Sequence, residues 1–480
     1  MFIEEIFPVI KESVVTHDDT TYALVTTAVP GERKLAVIGN TIGFVGEKQE
    51  GDVLLCSLSV EHARVLRQRL TWLQPVPLGL RTSAGFGDRL GIATPGHVQA
   101  IGNTGVAPIF AQQSVRENTR IGRSPQQVLD DAMWGAFEAG WRGPWGADAD
   151  HLKTLADIEP FVAAGYTFFT VDPGDYVDDA AETDDETTLR QKVEALPWGD
   201  LQSSFAETQQ RYLKSFDLDT HSLSFDEPAL LKGLAKYGAA VAHMARMTRR
   251  LQEVSGEQPF EMEISVDETG TTTALIEHFY IASELKRLQV PFVSLAPRFV
   301  GRFEKGVGYI GDVRELEENI AGHASIMRYF GNSYKLSLHT GSDKFVVYPL
   351  AMQYTDGLVH LKTAGTSYLE ALRLIASIDT KLFREILDFA RAHYETDRKT
   401  YHVSASLDKV PAASALTDEQ LPDLLNQFDA RQVLHVTFGS VLDTFGSQLR
   451  RNLDEQRTAY HAYIKTHFVR HLAPFATSPV

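Results

Sequence analysis

Histidines and carboxylates gather at a few points of this chain where apolar runs stop. Asp148-Ala-Asp150-His151-Leu-Lys153 is one such point, and Asp267-Glu268, after Pro259–Val266, is another. His339-Thr-Gly-Ser342-Asp343-Lys344 follows Tyr334–Leu338, and His360-Leu-Lys362-Thr363 ends a run that starts at Gly357. Neutral imidazoles beside carboxylates suit a divalent transition metal and leave coordination positions open for a substrate. His151, His339 and His360 are therefore the expected metal ligands, for which Zn, Mn, Co, Ni or Fe would serve. Most of the 16 histidines must have ordinary fates, and His243, His278, His323 and His393, in helical patterns, read as core or surface residues. Asp150 and Glu268 are the candidate acid and base, since a reversible proton transfer needs one group to accept and another to return.

Further polar side chains at the ends of apolar runs are candidates for substrate binding: Arg81, Gln113, Lys153, Asp172, Arg298, Ser342, Asp343, Lys344 and Lys362. Thr363-Ala-Gly365-Thr366-Ser367 opens a helical pattern, and backbone N–H groups there, flanked by hydroxyls, suit an anion. Thr363, Gly365 and Thr366 join the list on that ground, with an ordinary helix cap as the alternative. Gly306-Val-Gly308-Tyr-Ile-Gly311 satisfies G-x-G-x-x-G, but Pro297–Lys305 separates it from the preceding strand. It therefore lacks the context of a dinucleotide fingerprint. The acidic run over Asp178–Glu186 reads as a solvated loop.

Positioning these groups requires strands whose ends converge. Eight are expected: Pro77–Ser83, Val106–Gln112, Gly146–Thr154, Tyr166–Asp172, Pro259–Val266, Val290–Ala296, Tyr334–His339 and Gly357–Lys362. Helical patterns follow most of them, including one opened by Ser124-Pro125 and others over Thr272–Leu288, Asp312–Phe330 and Thr366–Ile378. Strands alternating with helices imply parallel pairing, and eight units imply a closed (β/α)8 TIM-like barrel over 77–380. An open doubly wound sheet competes. A helical insertion is expected over about 183–256, an N-terminal α/β cap over 1–76, and a C-terminal helical region over 381–480. In that last region Lys381–Tyr394, Thr417–Asp429 and Ser447–His467 read as helices, and Pro474–Val480 as a frayed tail.

A net charge of −17 opposes phosphate backbones and argues against a nucleic-acid partner. The lone cysteine, Cys56, excludes an intrachain disulfide and a cysteine-rich zinc site. No signal-peptide pattern and no membrane-length apolar run occurs, so the cytoplasm is the expected location and no membrane contact is expected. The C-terminal helices are candidates for a homo-oligomer interface.

The sequence resembles the tagaturonate epimerase family, also described as tagaturonate/fructuronate epimerases. Asp148–Thr154, Phe169–Gly174, Glu263–Thr269, Leu338–Phe345 and His360–Ser367 carry the resemblance. It implies a metal-dependent isomerase that interconverts D-tagaturonate and D-fructuronate in hexuronate catabolism. It also implies an acidic base and acid, and ligands that include histidines, roles that fall on Asp150, Glu268 and the histidines named above. The inverted carbon is β to the ketone, so its hydrogen is not acidic and enolisation cannot invert it. Two routes remain, transient oxidation by a bound nicotinamide and retro-aldol cleavage with re-addition; the misplaced glycine pattern favours the second, with a metal stabilising the enolate. A Schiff base at Lys153 or Lys362 is the alternative. A barrel aldolase or isomerase for another ketose or ketose phosphate, and a sugar-binding regulatory barrel without turnover, are the competing functions.

Overall fold

A computed structural model describes residues 3–50, 52–219, 221–363 and 365–476. Eight parallel strands close into a barrel: β1 (Ser83–Gly85), β2 (Ala107–Ser114), β3 (Gly146–Leu152) and β4 (Phe168–Val171), followed by β5 (Glu261–Ser265), β6 (Phe292–Ala296), β7 (Lys335–Leu338) and β8 (Val359–Lys362). Each strand pairs with its sequence neighbour, and His360↔Ser83 and Lys362↔Gly85 pairing joins β8 to β1. The closed barrel is thus the architecture, not the open sheet.

The first strand starts later than its apolar pattern suggests. Pro77–Leu80 instead seals the bottom of the barrel, where the Leu78 and Gly79 N–H groups donate to the Glu261 carboxylate. Gly79 takes a left-handed φ of 66° there, which permits the turn. Arg81 consequently precedes β1 and is exposed, far from the strand ends, so the expectation that it binds substrate is not met.

Two strand irregularities decide which side chains enter the barrel. In β2 the register against β3 shifts between Ile109 and Ala111. Gln112 then pairs with Asp148 and Gln113 with Ala149, so Gln112 faces inward and Gln113 outward. Gly85 leaves the space for Gln112, whose Oε1 would lie 2.9 Å from an added Cβ. In β3 the register against β4 shifts between Ala149 and Leu152, and His151 adopts φ 54°. Strict alternation would turn His151 outward after the inward Asp150. The bulge re-aims it toward the barrel mouth.

Around the barrel lie Pro125–Glu138, Leu275–Arg287, Val313–Tyr329 and Thr366–Ile378, helices with buried faces against the sheet. The segment between β4 and β5 contains three short helices, a hairpin and the 29-residue helix Glu227–Ser255, capped by Asp226. N-terminal to the barrel, a five-stranded antiparallel sheet packs with the helix Val60–Arg69, whose N-cap is Ser59. The C-terminal region differs from its expected helices. Pro422 stands where Thr417–Asp429 would run as one helix, and short 3-10 turns replace it. Two helices, Phe438–Glu455 and Arg457–Leu472, occupy the span expected as one. Of the expected tail, Ala473–Phe475 forms a 3-10 turn and 477–480 lie outside the described residues. Among the described residues no helix is long and apolar enough to cross a membrane.

Candidate active site

The strand pleat stacks inward polar side chains in tiers. Lowest are Lys335, Ser83 and His360: Lys335 Nζ donates to Ser83 Oγ at 3.0 Å, and Ser83 Oγ lies 2.9 Å from His360 Nδ1. Burial pushes the His360 imidazole down to about 3, so it is neutral. Above them sits Lys362, whose ammonium lies 2.8 Å from Asp148, 2.7 Å from Asp150 and 2.8 Å from Glu263. All four side chains are at most 5% exposed. Those contacts outweigh burial and raise the Lys362 pKa, whereas burial pushes the Asp148 carboxyl up.

The top tier holds His151, His339 and Asp267, from the ends of β3, β7 and β5. Their ligand atoms all lie within 4.8 Å of one another, and the two rings are 5.1 Å apart. Each imidazole is backed by a carboxylate. Asp172 lies 3.2 Å from His151 Nδ1, and Glu263 lies 2.6 Å from His339 Nε2. These contacts leave His151 Nε2 and His339 Nδ1 to face the centre, the latter 3.0 Å from Asp267 Oδ1. Carboxylates that orient imidazoles from behind are the usual support of a metal-binding histidine.

Electrostatics make the same donor set suitable for a dication. Burial disfavours a charged His151, but Asp150, Asp172 and Glu268 overcome it and lift the pKa to about 10. His339 rises to about 9, with Asp267 and Glu263 outweighing burial and Lys362. Two imidazolium protons thus balance the surplus carboxylates at neutral pH. One divalent cation in place of those two protons would leave the charge unchanged. Two imidazoles and one carboxylate with open positions are a recognised donor set for such ions.

Glu268, Asp267 and His339 open onto a cavity of about 340 Å³, together with Arg298, Lys305 and Thr340. Its far wall is Thr400–Ser404, a strap from the C-terminal region. Glu304 fixes the strap, accepting from Ser404 N at 3.0 Å, Ser404 Oγ at 2.7 Å and Gln432 Nε2 at 2.8 Å. Glu268 lies 3.0 Å from Arg116. Burial raises its carboxyl pKa, but His151, Arg116 and Lys305 overcome this and keep it lowered and ionised. Asp150 is ionised as well, its burial overcome mainly by Lys362 and His151, and it accepts from Gln112 Nε2 at 2.9 Å.

Several expected site residues lie elsewhere. His360 is a tier too low to join His151 and His339, and Asp267 completes that set. Gln113 points outside the barrel, and Asp172 supports His151. Lys153 is partly exposed and pairs with Asp172 and Asp175. Lys362, held as an ammonium by its carboxylates, is not an amine available for a Schiff base. Lys344 is buried, with Nζ donating to the carbonyls of Glu304, Val307 and Ser342. Asp343 pairs with Arg431 at 2.6 Å and borders a separate cavity with His467. Ser342 lies 3.3 Å from Thr366. Thr363 donates to Gly85 O at 2.6 Å, and Gly365 packs against Arg89 and His435, so this buried helix start, which carries no side-chain cap, is not part of the cavity. Of the substrate-binding candidates, Arg298 alone lines the cavity.

The sequence places Asp148, Asp267 and Gln112 at strand ends without assigning them a role, and it offers no role for Glu263, Lys305 or Thr340. Asp148 and Glu263 carry a period-two signal, as Asp-Ala-Asp and Glu-Met-Glu. The expected solvated acidic run also has a task. Asp179 accepts from Gly270 N at 2.6 Å and Thr271 Oγ1 at 3.0 Å, pinning the loop that follows Glu268.

Comparison with known proteins places the chain in a family. The family model for tagaturonate epimerase matches residues 10–475. A tagaturonate/fructuronate epimerase of Thermotoga maritima is 42% identical over 433 residues, 89% of this chain and 88% of that protein. The native crystal structure of a fructuronate-tagaturonate epimerase from Cohnella laeviribosi superposes with a TM-score of 0.93 at 35% identity, covering 98% of this chain and 97% of that one. A glycerol complex of that epimerase gives a TM-score of 0.93 at 36% identity, with the same coverage.

Proposed function

Because the chain belongs to the tagaturonate epimerase family, we propose that it is an isomerase interconverting D-tagaturonate and D-fructuronate by retro-aldol cleavage and re-addition at a divalent-metal site. The observation that carries the metal reading is the meeting of His151, His339 and Asp267, the last two of which line the cavity. A cation held there supplies Lewis-acid stabilisation of negative charge developing on a substrate oxygen, a contribution of several kcal/mol (roughly).

The chain's own groups do the proton work. Glu268, ionised and facing the cavity, is the base that takes the proton of the hydroxyl on the inverted carbon. When the carbon–carbon bond re-forms on the other face of the aldehyde, the new hydroxyl points away from Glu268. The alkoxide formed there must receive a proton, and Asp150, 2.7 Å from the Lys362 ammonium and 3.7 Å from His151 Nε2, is the carboxylate that relays one from Lys362. Glu268 gives up the proton it took to solvent, and Lys362 is reprotonated before the next turnover. Asp172 and Glu263 hold the imidazoles in place, and the strap limits water access.

The test is D-tagaturonate turnover by chelator-stripped protein, before and after addition of Zn, Mn, Co, Ni or Fe. Activity is expected to vanish on stripping and return with a metal; full activity without one refutes the metal reading. A parallel reaction in deuterated water tests the route, and heavy incorporation at the inverted carbon would exclude retro-aldol chemistry.

A further inference from the structure

Cationic side chains line the cavity beyond the groups that hold the proposed metal ligands in place. Lys305 and Arg298 both line it, and among the described residues neither has a carboxylate within ion-pair distance. Lys305 is held in place on three sides. Its Nζ donates to Thr340 Oγ1 at 2.9 Å. Lys344 binds the carbonyls of Glu304 and Val307, which flank it, and Glu304 ties the same segment to the strap.

Thr340 is the costly part of this arrangement. It follows His339 directly and has φ 48°, a left-handed conformation that a β-branched residue rarely adopts. Such strain persists where surrounding structure enforces it, commonly at functional sites. Here it places a hydroxyl under the Lys305 ammonium, on the cavity wall beside the His339 end.

The substrate of the proposed reaction has its ketone at one end and a carboxylate at the other, beyond the carbon that is inverted. With the ketone end over His151, His339 and Asp267, the carboxylate needs a cationic partner elsewhere on the same cavity wall, which Lys305 and Arg298 offer. We infer that Lys305, positioned by Thr340, binds the substrate carboxylate and selects uronates over neutral ketoses. This rests on the epimerase reading and assigns the specificity of that same site. Lysine rather than arginine suits it, because a compact ammonium can keep its hydroxyl contact and still offer a proton to a carboxylate oxygen.

The experiment compares Lys305→Met, Lys305→Arg and Arg298→Met with the parent protein on D-tagaturonate and on D-tagatose, which has a CH2OH in place of the carboxylate. Calorimetric titration with tartronate, a small hydroxy-dicarboxylate, reads the carboxylate site without turnover. Lys305→Met is expected to raise KM for the uronate and the tartronate Kd by about 10- to 100-fold, the usual weight of a charged hydrogen bond. D-Tagatose kinetics should fall far less than those of the uronate, only by the loss of Lys305's charge beside Glu268. Metal content and melting temperature should stay close to parental, and Lys305→Arg should recover part of the loss. Equal losses on both sugars, or selectivity that disappears with Arg298→Met but survives Lys305→Met, overturn the assignment. If the parent binds tartronate through Lys305 but does not convert D-tagaturonate, the epimerase reading fails while this site stands. If the parent converts D-tagaturonate and Lys305→Met is unaffected, the reverse holds.

Discussion

Replacing Lys362 with methionine removes one ammonium from among three carboxylates while nearly preserving volume. Asp148, Asp150 and Glu263 lie 2.7–2.8 Å from it and are 0–5% exposed, so water cannot take over the role of the cation. Breaking a buried ion pair from one side costs about 3–5 kcal/mol. Two of the carboxyls can escape part of this by taking up protons, at about 1.4 kcal/mol for each unit that their pKa rises. With roughly 2.1 cal/mol/K of unfolding entropy per residue, a chain of this length loses about 1 °C for each kcal/mol, so the melting point should fall by about 3–5 °C. Activity should fall much further, since Asp150 would change charge and Glu263 would lose its grip on His339. Calorimetric melts of metal-free protein measure the stability. The same substitution in a Glu263→Gln background should cost about 1–3 kcal/mol less, because the two share one interaction. A Lys362→Met protein that melts within about 1 °C of the parent, or costs that simply add, would refute this account of the barrel centre.

His339→Ala, His151→Ala and Asp267→Ala should each lower bound metal measured by mass spectrometry, whereas His360→Ala should retain it. Metal lost from His360→Ala alone would return that residue to the ligand set. His323, pushed down to about 3 by burial and paired with His278 at 2.8 Å, stays neutral in the fold while the unfolded chain takes up a proton below about pH 6.5. The stability it contributes is therefore present above that pH and lost as pH falls toward 3, by about 2 kcal/mol at pH 5. Urea unfolding of His323→Gln should accordingly show a shallower fall between pH 7 and pH 5; an unchanged slope contradicts it. Glu304→Gln should free the strap, raising KM and cleavage by a protease near Ser404, with little change in metal content. An unaltered cleavage rate counts against Glu304 as the anchor.

The barrel could be read from the sequence because most of its strands are apolar runs followed by amphipathic helices, with the polar alternation of Asp-Ala-Asp and Glu-Met-Glu as exceptions, and most boundaries fall within two residues of the expected ones. Side-chain direction was less legible. Plain alternation sends His151 outward and gives no reason to choose Gln112 over Gln113, since both depend on bulges that no local pattern announces. His360 looked equivalent to His339, yet it precedes Lys362 by one pleat and so stands a tier lower. Arg81 went astray because Pro77–Leu80 is apolar to seal the barrel, not to form a strand. The strap at Thr400–Ser404 has neither motif nor periodicity, and only tertiary packing brings it to the cavity.

The pairing that closes the barrel also sets a timetable for biosynthesis. β1 cannot gain its second partner until β8 exists, and Ser83 and His360 are separated by 277 positions. At about 5–20 residues per second the nascent first strand waits roughly 15–55 s with one edge unpaired. The strap follows later still, so everything through Ser404 must be made before a competent pocket can exist. The antiparallel N-terminal sheet, complete long before then, can fold in the meantime. A stalled or truncated product would expose the β1 edge, a surface suited to chaperone capture.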